Sequence, residues 1–402
     1  MNELLHETAE FVLPGHPDKL CDAVVDHIVD AVRQGDPEGQ CGLEAACVFD
    51  RLFLTGRIAA RQAVLAALDV DALARQAYAS AGYGVDAAGF AWGPLPQNLR
   101  IDTAFCRGEF EAGERELRHL SDDQALCVGY ANRLAETDRL PPAHWLARAI
   151  GRALFRLRQE KGAGQVGPDA KVVVRIESKQ TTWRPRHVSI SLNHHPGSDW
   201  MLLREIAEEA LETACTGLPL PDLELNGAGM FVSGGPNGDN GLSGKKLVVD
   251  AYGPTVPIGG GAWSGKDFRK VDRIGGLLAR ELARVAVHES GAYEARVTLE
   301  YIPGCDAPVH VGVLLDGRPA GLGALPATAA IPRDNLAVWQ RYVAAPAPLI
   351  ELARWGHAQA GMPWESQRGP KPPARASESG GHGRAGRANI AGTPVPAVRR
   401  AS

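Results

Sequence analysis

The sequence predicts an α/β or α+β protein in which helices cover sheets. Three observations support this prediction. Strand-like runs alternate with amphipathic helices, the alternation occurs in three successive blocks, and the 402 residues suffice for two or three domains with a large buried core. The three blocks share no exact internal sequence repeat.

The first block opens with a helix predicted over 20–34, because its apolar residues recur at helical spacing along one face. Asp22, Asp26 and Asp30 lie away from most of that face, and Gly35-Asp36-Pro37 ends the helix. The rest of the block is predicted as strands over 43–49 and 52–58 and a second helix over 61–77.

The second and third blocks continue the alternation of helices and strand-like runs. The second is predicted as a helix over 143–159, strands over 172–176 and 187–192, and a helix over 202–214. The third is predicted as strands over 246–252, 295–302 and 309–315, a helix over 271–287 between the first two strands, and a largely helical end over 335–355.

Two segments lack the apolar periodicity of core elements. Residues 93–121 mix charges of both signs and predict a mobile loop over a site. Residues 367–402 are rich in Gly, Pro, Ser, Ala and Arg, so we expect a disordered and dispensable tail. Contact of its arginines with an acidic partner is the alternative to a solvated tail without function.

Composition argues against several classes of function. The net charge of −4 disfavours a general nucleic-acid surface, and no apolar run is long enough to predict a membrane span. The chain starts with acidic residues, which a secretory signal does not have. Its cysteines form no CxxC pair, which favours reduced thiols over a disulfide framework or a zinc site. We therefore expect a cytoplasmic protein.

Glycine, lysine and aspartate are concentrated between residues 234 and 273. Glycines let the backbone approach a bulky anion and present its N–H groups. Lysines follow these glycines and aspartates bracket them, which suits a polyphosphate with bound divalent cations. Two glycine-rich turns with solvated lysines are the alternative. The charged residues are Lys245, Lys246, Lys266, Lys270, Asp239 and Asp272.

A second polar cluster, GHPDK at 15–19, precedes the first helix. His16 and Lys19 can contact phosphate oxygens and Asp18 can bind a divalent cation, whereas a lone histidine near a helix start is usually structural. Residues 260–266 fit the pattern GxxxxGK, but Asp267 stands where a P-loop has Ser or Thr. The sequence therefore does not predict a P-loop.

Together these motifs resemble the S-adenosylmethionine synthetase (methionine adenosyltransferase) family. The resemblance runs in order from about residue 8 to 366, and the two glycine-rich motifs are its most specific part. It rests on GHPDK (15–19), Glu44 in CGLEAAC, DDQALCVGYA (122–131), PDAK (168–171), GGPNGDNGLSGKK (234–246), GGGAWSGKDFRKVDR (259–273) and PWE (363–365).

The resemblance implies a mechanism in which a thioether sulfur attacks C5′ of ATP and the expelled triphosphate is hydrolysed to phosphate and diphosphate. It implies that Lys245 stands where the family commonly has Arg, which keeps the charge but loses bidentate geometry. By motif position it assigns His16, Lys171, Lys245, Lys246, Lys266 and Lys270 to the triphosphate, Asp18 and Asp272 to Mg²⁺, Glu44 to K⁺, and Asp123, Asp169, Ser191, Phe231 and Asp239 to the nucleoside or substrate. Core packing is the alternative for Phe231.

The resemblance also implies an α+β fold with three similar β-sheet-plus-helix domains around a pseudo-threefold axis. We expect a homodimer or homotetramer with active sites between subunits, and ATP and a small-molecule acceptor as ligands. The expected segments are an N-terminal domain (1–103), a gating loop (104–121), a central domain (122–231) and a C-terminal domain (232–366), followed by the tail.

The chain departs from the family on the methionine side. Arg57, in TGRI, stands where the family has a glutamate that receives the methionine ammonium, and a guanidinium there favours an anionic group. Pro94 falls on the family's glutamine. The loop 99–121 is longer than usual and carries Arg100, Arg107, Arg115 and Arg118. An Arg57 turned to solvent, with methionine held by other contacts, is the alternative.

Formation of S-adenosylmethionine is the first predicted function. Adenosylation of a different, more anionic acceptor is the alternative within the same chemistry. A non-catalytic regulatory relative is the alternative outside it. The retained phosphate and magnesium residues argue against that last class, because a binding-only subunit need not keep them.

Overall fold

A computed structural model describes residues 5–179 and 182–366, so the predicted disordered tail lies outside the described residues. Long amphipathic helices and shorter helical turns both occur along these ranges. The helices are α1 (Pro17–Gly35), α2 (Gln62–Ala67), α3 (Val70–Ala81), α4 (Glu114–Leu117), α5 (Pro142–Glu160), α6 (Trp200–Ala214), α7 (Leu247–Asp250), α8 (Val271–Ser290), α9 (Pro326–Ala329), α10 (Asn335–Tyr342) and α11 (Leu349–Trp355).

The strands alternate with these helices. They are β1 (Leu5–Val12), β2 (Gln40–Val48), β3 (Arg51–Ala59), β4 (Gly84–Val85), β5 (Ala91–Trp92), β6 (Arg100–Gly108), β7 (Ala125–Asn132), β8 (Val166–Lys179), β9 (Thr182–His194), β10 (Asp222–Leu225), β11 (Gly241–Leu242), β12 (Glu294–Tyr301), β13 (His310–Leu315) and β14 (Arg318–Ala320).

The longer predicted helices and strand pairs are confirmed, and three predicted elements are wrong in part. The helix predicted over 61–77 is two helices, because Asp69 caps α3 by accepting the Ala72 N–H at 2.9 Å. The helical end predicted over 335–355 also divides in two, because Pro348 starts α11. The strand predicted over 246–252 is instead the single helical turn α7. Its run of three apolar residues is too short to show whether the periodicity is that of a strand or of a helix.

The segment predicted as a mobile loop, 93–121, contains strand β6, which pairs in parallel with β3 along its whole length. The prediction failed because β6 is an edge strand with mostly exposed side chains, so no apolar alternation marks it. The prediction also missed strands β1 and β7.

The described residues form three four-stranded sheets and one two-stranded hairpin, β4-β5. The strand orders are β1-β8-β9-β10, β11-β2-β3-β6 and β14-β13-β12-β7. In each sheet a central antiparallel pair follows one long helix in the chain. These helices are α1 before β2-β3, α5 before β8-β9 and α8 before β12-β13.

The three sheets exchange strands in a cycle. Strand β1 precedes α1 but pairs antiparallel with β8, and β7 precedes α5 but pairs antiparallel with β12. Strand β11 precedes α8 and pairs antiparallel with β2, which closes the cycle. This exchange gives the three-domain α+β architecture its pseudo-threefold character. Each sheet therefore contains strands from two of the predicted domains. The domain boundaries themselves stay a prediction.

The core lies between the sheets and the helices that pack against them. One hydrophobic cluster joins α1 and α8 to their sheets, and a second surrounds α5 and α6. Within the described ranges, no helix is both long and apolar enough to cross a membrane. The first turns of α1 and α8 contact the glycine-rich loops discussed next, through Asp18 and Asp272.

Candidate functional site

A pocket of about 400 Å³ lies where the start of α1 meets β8, β9 and the loop before β11. Glycines and small residues from 228–238 form one wall, and the open face of the sheet forms another. The pocket brings together six of the predicted site residues: His16, Asp169, Lys171, Ser191, Phe231 and Asp239.

His16 is the N-cap of α1, and its Nδ1 accepts the Asp18 N–H at 3.2 Å. Pro17 follows at the first helical position, where a missing N–H costs nothing. Burial and then the Lys246 ammonium lower the pKa of His16 to about 4. His16 is therefore neutral at physiological pH, so it can offer a ring N–H to phosphate without adding charge.

Asp18 connects α1 to the first glycine-rich loop. Its Oδ1 accepts the Leu242 N–H at 2.9 Å, and its Oδ2 lies 2.8 Å from Lys246 Nζ. Lys245 Nζ lies 3.6 Å from the same carboxylate. Burial raises the pKa of Asp18, but Lys246 and the Leu242 N–H outweigh it and hold that pKa below its ordinary value. Asp18 therefore stays ionised beside two ammonium groups.

Asp169 and Lys171 lie at the start of β8, on the pocket wall. Asp169 Oδ2 accepts the Gly235 N–H at 2.8 Å, and burial raises the pKa of Asp169 to about 6 despite that bond. Lys171 pairs with Glu10 at 2.8 Å and lies opposite Ser191 in the strand register. Phe231 is half-buried and lines the pocket.

A second group of predicted residues lies at the start of α8. Lys266 Nζ lies 2.5 Å from Asp272 Oδ2, and Lys270 pairs with Asp122. The backbone of Lys266 forms an isolated antiparallel bridge with Gly42 of β2, and Lys270 lies close to the same glycine. This second group does not line the pocket at α1.

Asp18, Lys245 and Lys246 form a cluster beside the pocket, and three further predicted residues lie outside this cluster and both groups. Arg57 pairs with Glu114 of α4 at 2.7 Å. Glu44 is exposed on β2, and Asp123 is exposed and accepts the N–H of its neighbour Gln124 at 2.7 Å.

Sequence reasoning missed Glu10 and Glu114, the partners of Lys171 and Arg57. Each is distant in sequence from the residue it pairs with, so no local motif marks it. The motif DDQALCVGYA contains Asp122 but suggests no partner for it, and the structure pairs Asp122 with Lys270.

The arrangement is suited to binding a polyanion that carries a metal ion. Its ammonium groups can contact phosphate oxygens, and its carboxylates can bind the metal. In the described part of the chain, no three His, Cys, Asp or Glu side chains are arranged to hold a metal ion. Magnesium does not need such a cluster, since it binds through one or two carboxylates plus phosphates. Asp18 and Asp272 fit that mode, and Gly261 lets its backbone pack directly against the Asp272 carboxylate, because a Cβ at residue 261 would clash with Oδ1.

Three family models match the chain. Their descriptions are the N-terminal, central and C-terminal domains of S-adenosylmethionine synthetase, matched over residues 5–103, 119–222 and 233–320. The order of the three matches follows the three helix-and-sheet repeats of the fold.

The chain is also similar to bacterial proteins named S-adenosylmethionine synthase, and three of them are described here. The protein of Paramagnetospirillum magneticum is 33% identical over 339 residues, covering 82% of this chain and 83% of the relative. That of Methylobacterium sp. (strain 4-46) is 35% identical over 327 residues, covering 77% and 80%. That of Treponema pallidum (strain Nichols) is 34% identical over 318 residues, covering 76% and 79%.

Proposed function

The chain belongs to the S-adenosylmethionine synthetase family, and on that premise we propose that it forms S-adenosylmethionine from ATP and methionine. The observation that carries the proposal is the pocket at α1. It places a neutral histidine and a lysine around a glycine-walled cavity of about 400 Å³, next to the Asp18–Lys246 pair.

In the proposed reaction the methionine sulfur attacks C5′ of ATP, a new C–S bond forms and the C5′–O bond breaks. The electron pair of that bond leaves on the triphosphate, which carries about four negative charges at neutral pH. In this proposal Lys171, Lys245 and Lys246 compensate this charge. Water then cleaves the triphosphate to phosphate and diphosphate. His16 donates a hydrogen bond near the breaking bond.

We propose Asp18 and Asp272 as the residues that hold magnesium. When bound, the ion supplies charge neutralisation for the leaving group. The observations that support it are the ionised state of Asp18 and the close approach of the Gly261 backbone to the Asp272 carboxylate. Glu44 as a potassium ligand rests on the resemblance alone, as do the roles of Asp123 and of 104–121 as a gating loop.

We further propose a homodimer in which each site combines residues of two subunits. The support is the division of the predicted residues into two groups. The pocket at α1 is lined by His16 and Lys171 but not by Lys266, Lys270 or Asp272. In the proposed dimer, the second group of one subunit completes the pocket of the other. A cytoplasmic location is proposed from the unpaired cysteines.

Methionine is the proposed acceptor because Glu114 neutralises Arg57, the residue that argued against an ammonium group. A more anionic acceptor is the second candidate, favoured by the presence of a guanidinium where the family has a carboxylate. Both candidates use the same adenosyl transfer.

The reaction is tested by the products of the phosphate chain. Purified protein with ATP, methionine, Mg²⁺ and K⁺ should release phosphate and diphosphate in equal amounts, with neither ADP nor AMP. Release of ADP or AMP, or no release at all, would contradict the proposed leaving group.

A further inference from the structure

Two short turns in the glycine-rich loops have the same sequence and the same shape. Ser243-Gly244-Lys245 lies in the first loop and Ser264-Gly265-Lys266 in the second. The two glycines have φ of 82° and 85°, a left-handed conformation that other residues rarely adopt. Each turn therefore places a lysine directly after a glycine whose N–H faces the protein interior.

Both glycine N–H groups are bonded by aspartates of α1 that lie one helical turn apart. Asp22 Oδ1 accepts the Gly244 N–H at 2.7 Å, and Asp26 Oδ1 accepts the Gly265 N–H at 2.8 Å. Neither carboxylate faces solvent, because the two residues are 1% and 0% exposed. The sequence placed these aspartates off the apolar face of the helix, and the structure buries them against the loops.

Strand β2 holds the same two turns from the opposite side. The Ser243 hydroxyl accepts the Ala45 N–H at 2.9 Å, and the Gly265 carbonyl accepts the Leu43 N–H at 2.9 Å. Four residues of helix rise about 6 Å and two residues of strand about 6.8 Å, so the helix and the strand offer matching repeats. The two turns are fixed at one spacing by two rigid elements.

We infer that Asp22 and Asp26 are positioning residues that hold the two Ser-Gly-Lys turns in place, and with each turn the lysine that binds a phosphate chain, the two turns of one subunit serving different sites of the proposed dimer. The inference rests on the proposed function, because it takes Lys245, Lys246 and Lys266 as phosphate ligands. The aspartates act through the loop backbone and touch no substrate.

Asp22 is the better of the two for a test. Asp26 also neutralises the buried Arg273, so its removal would leave an unpaired buried charge. Asp22→Ala removes the acceptor for the Gly244 N–H, whereas Asp22→Asn keeps an oxygen in the same place. Asp30→Ala is the matched control, because Asp30 lies one turn further along α1 and accepts the N–H of Leu349, remote from both turns.

The experiment measures binding of inorganic tripolyphosphate with Mg²⁺ by titration calorimetry, with amide hydrogen exchange over 241–247 as a second readout. Asp22→Ala should weaken binding about tenfold and speed exchange in that segment, since a buried hydrogen bond to a carboxylate is lost. Asp22→Asn and Asp30→Ala should stay within about twofold of wild type.

Wild-type affinity in Asp22→Ala would overturn the inference, as would an equal loss in Asp30→Ala or in Asp22→Asn. Failure of the wild-type protein to bind tripolyphosphate would overturn it together with the phosphate site. The expected binding pattern in a protein that transfers no adenosyl group would support the inference and contradict the proposed function.

Discussion

The guanidinium of Arg57 lies 2.7 Å from the carboxylate of Glu114, across the gap between strand β3 and the short helix α4. An unpaired guanidinium 4 Å from an ammonium would repel it by roughly 4 kcal/mol at an effective dielectric of about 20. Glu114 offsets that repulsion. The pair therefore reconciles the altered residue at position 57 with an acceptor that carries an ammonium group.

The first prediction concerns this pair. Glu114→Gln should raise the KM for methionine about tenfold, because the positive charge of Arg57 is then uncompensated. Arg57→Glu should lower the KM for methionine, because a carboxylate then replaces the guanidinium. Steady-state kinetics at saturating ATP measure both effects. The control is Glu116→Gln, an exposed residue on the same helix. An unchanged KM in Glu114→Gln would show that Arg57 does not face the acceptor.

The second prediction concerns Lys266 and Asp272, which lie 2.5 Å apart. Lys266→Ala or Asp272→Ala should lower turnover by about a hundredfold or more while the fold is kept, because a preorganised charge at the leaving group is lost. Phosphate release measures turnover, and circular dichroism checks the fold. Lys161→Ala, an exposed lysine paired with Glu209, serves as control. Near-normal turnover in either site variant would remove both residues from the phosphate site.

The third prediction concerns the pH dependence of stability at Asp169. Burial raises its pKa from 3.8 to about 6, so the folded state favours the protonated form, and ionisation costs stability as pH rises through that window. Asp169→Asn mimics the protonated form and can still accept the Gly235 N–H. It should raise the free energy of unfolding by about 1–3 kcal/mol at pH 7.5 and by much less at pH 4. Urea unfolding at both values measures this.

Activity of Asp169→Asn should fall, since the carboxylate lines the pocket. A variant no more stable than wild type at pH 7.5 would show that the Asp169 carboxylate is not destabilised by burial.

The fourth prediction concerns the proposed dimer. Lys171→Ala disables the pocket at α1, and Lys266→Ala disables the second group. A heterodimer of the two variants, purified through two different tags, should have about half the wild-type activity, because one of its two sites takes both halves from intact residues. An inactive heterodimer would place each complete site within one subunit.

The sequence predicts the helices of this fold well because their apolar periodicity is strong, as α1, α5 and α8 show. It fails for β1, β6 and β7, which are edge strands of their sheets, two of them exchanged between repeats. Their partners lie far away in the chain, as with β1 and β8, and no local pattern encodes such pairing.

The candidate site divides in the same way. Motifs predict His16, Asp18 and the lysines, and the structure brings most of them together in two groups. The partners Glu10 and Glu114 are set by tertiary contact alone. The buried aspartates of α1 show the same limit, since their role becomes visible only once the glycine N–H groups are placed.

The central claim is adenosyl transfer to methionine, and mass spectrometry of the product tests it most directly. Purified protein with ATP, Mg²⁺, K⁺ and an equimolar mixture of methionine and its analogue lacking the amino group should yield S-adenosylmethionine as the main adenosylated product. Exclusive adenosylation of the analogue, or no adenosylated product from either acceptor, would contradict the account.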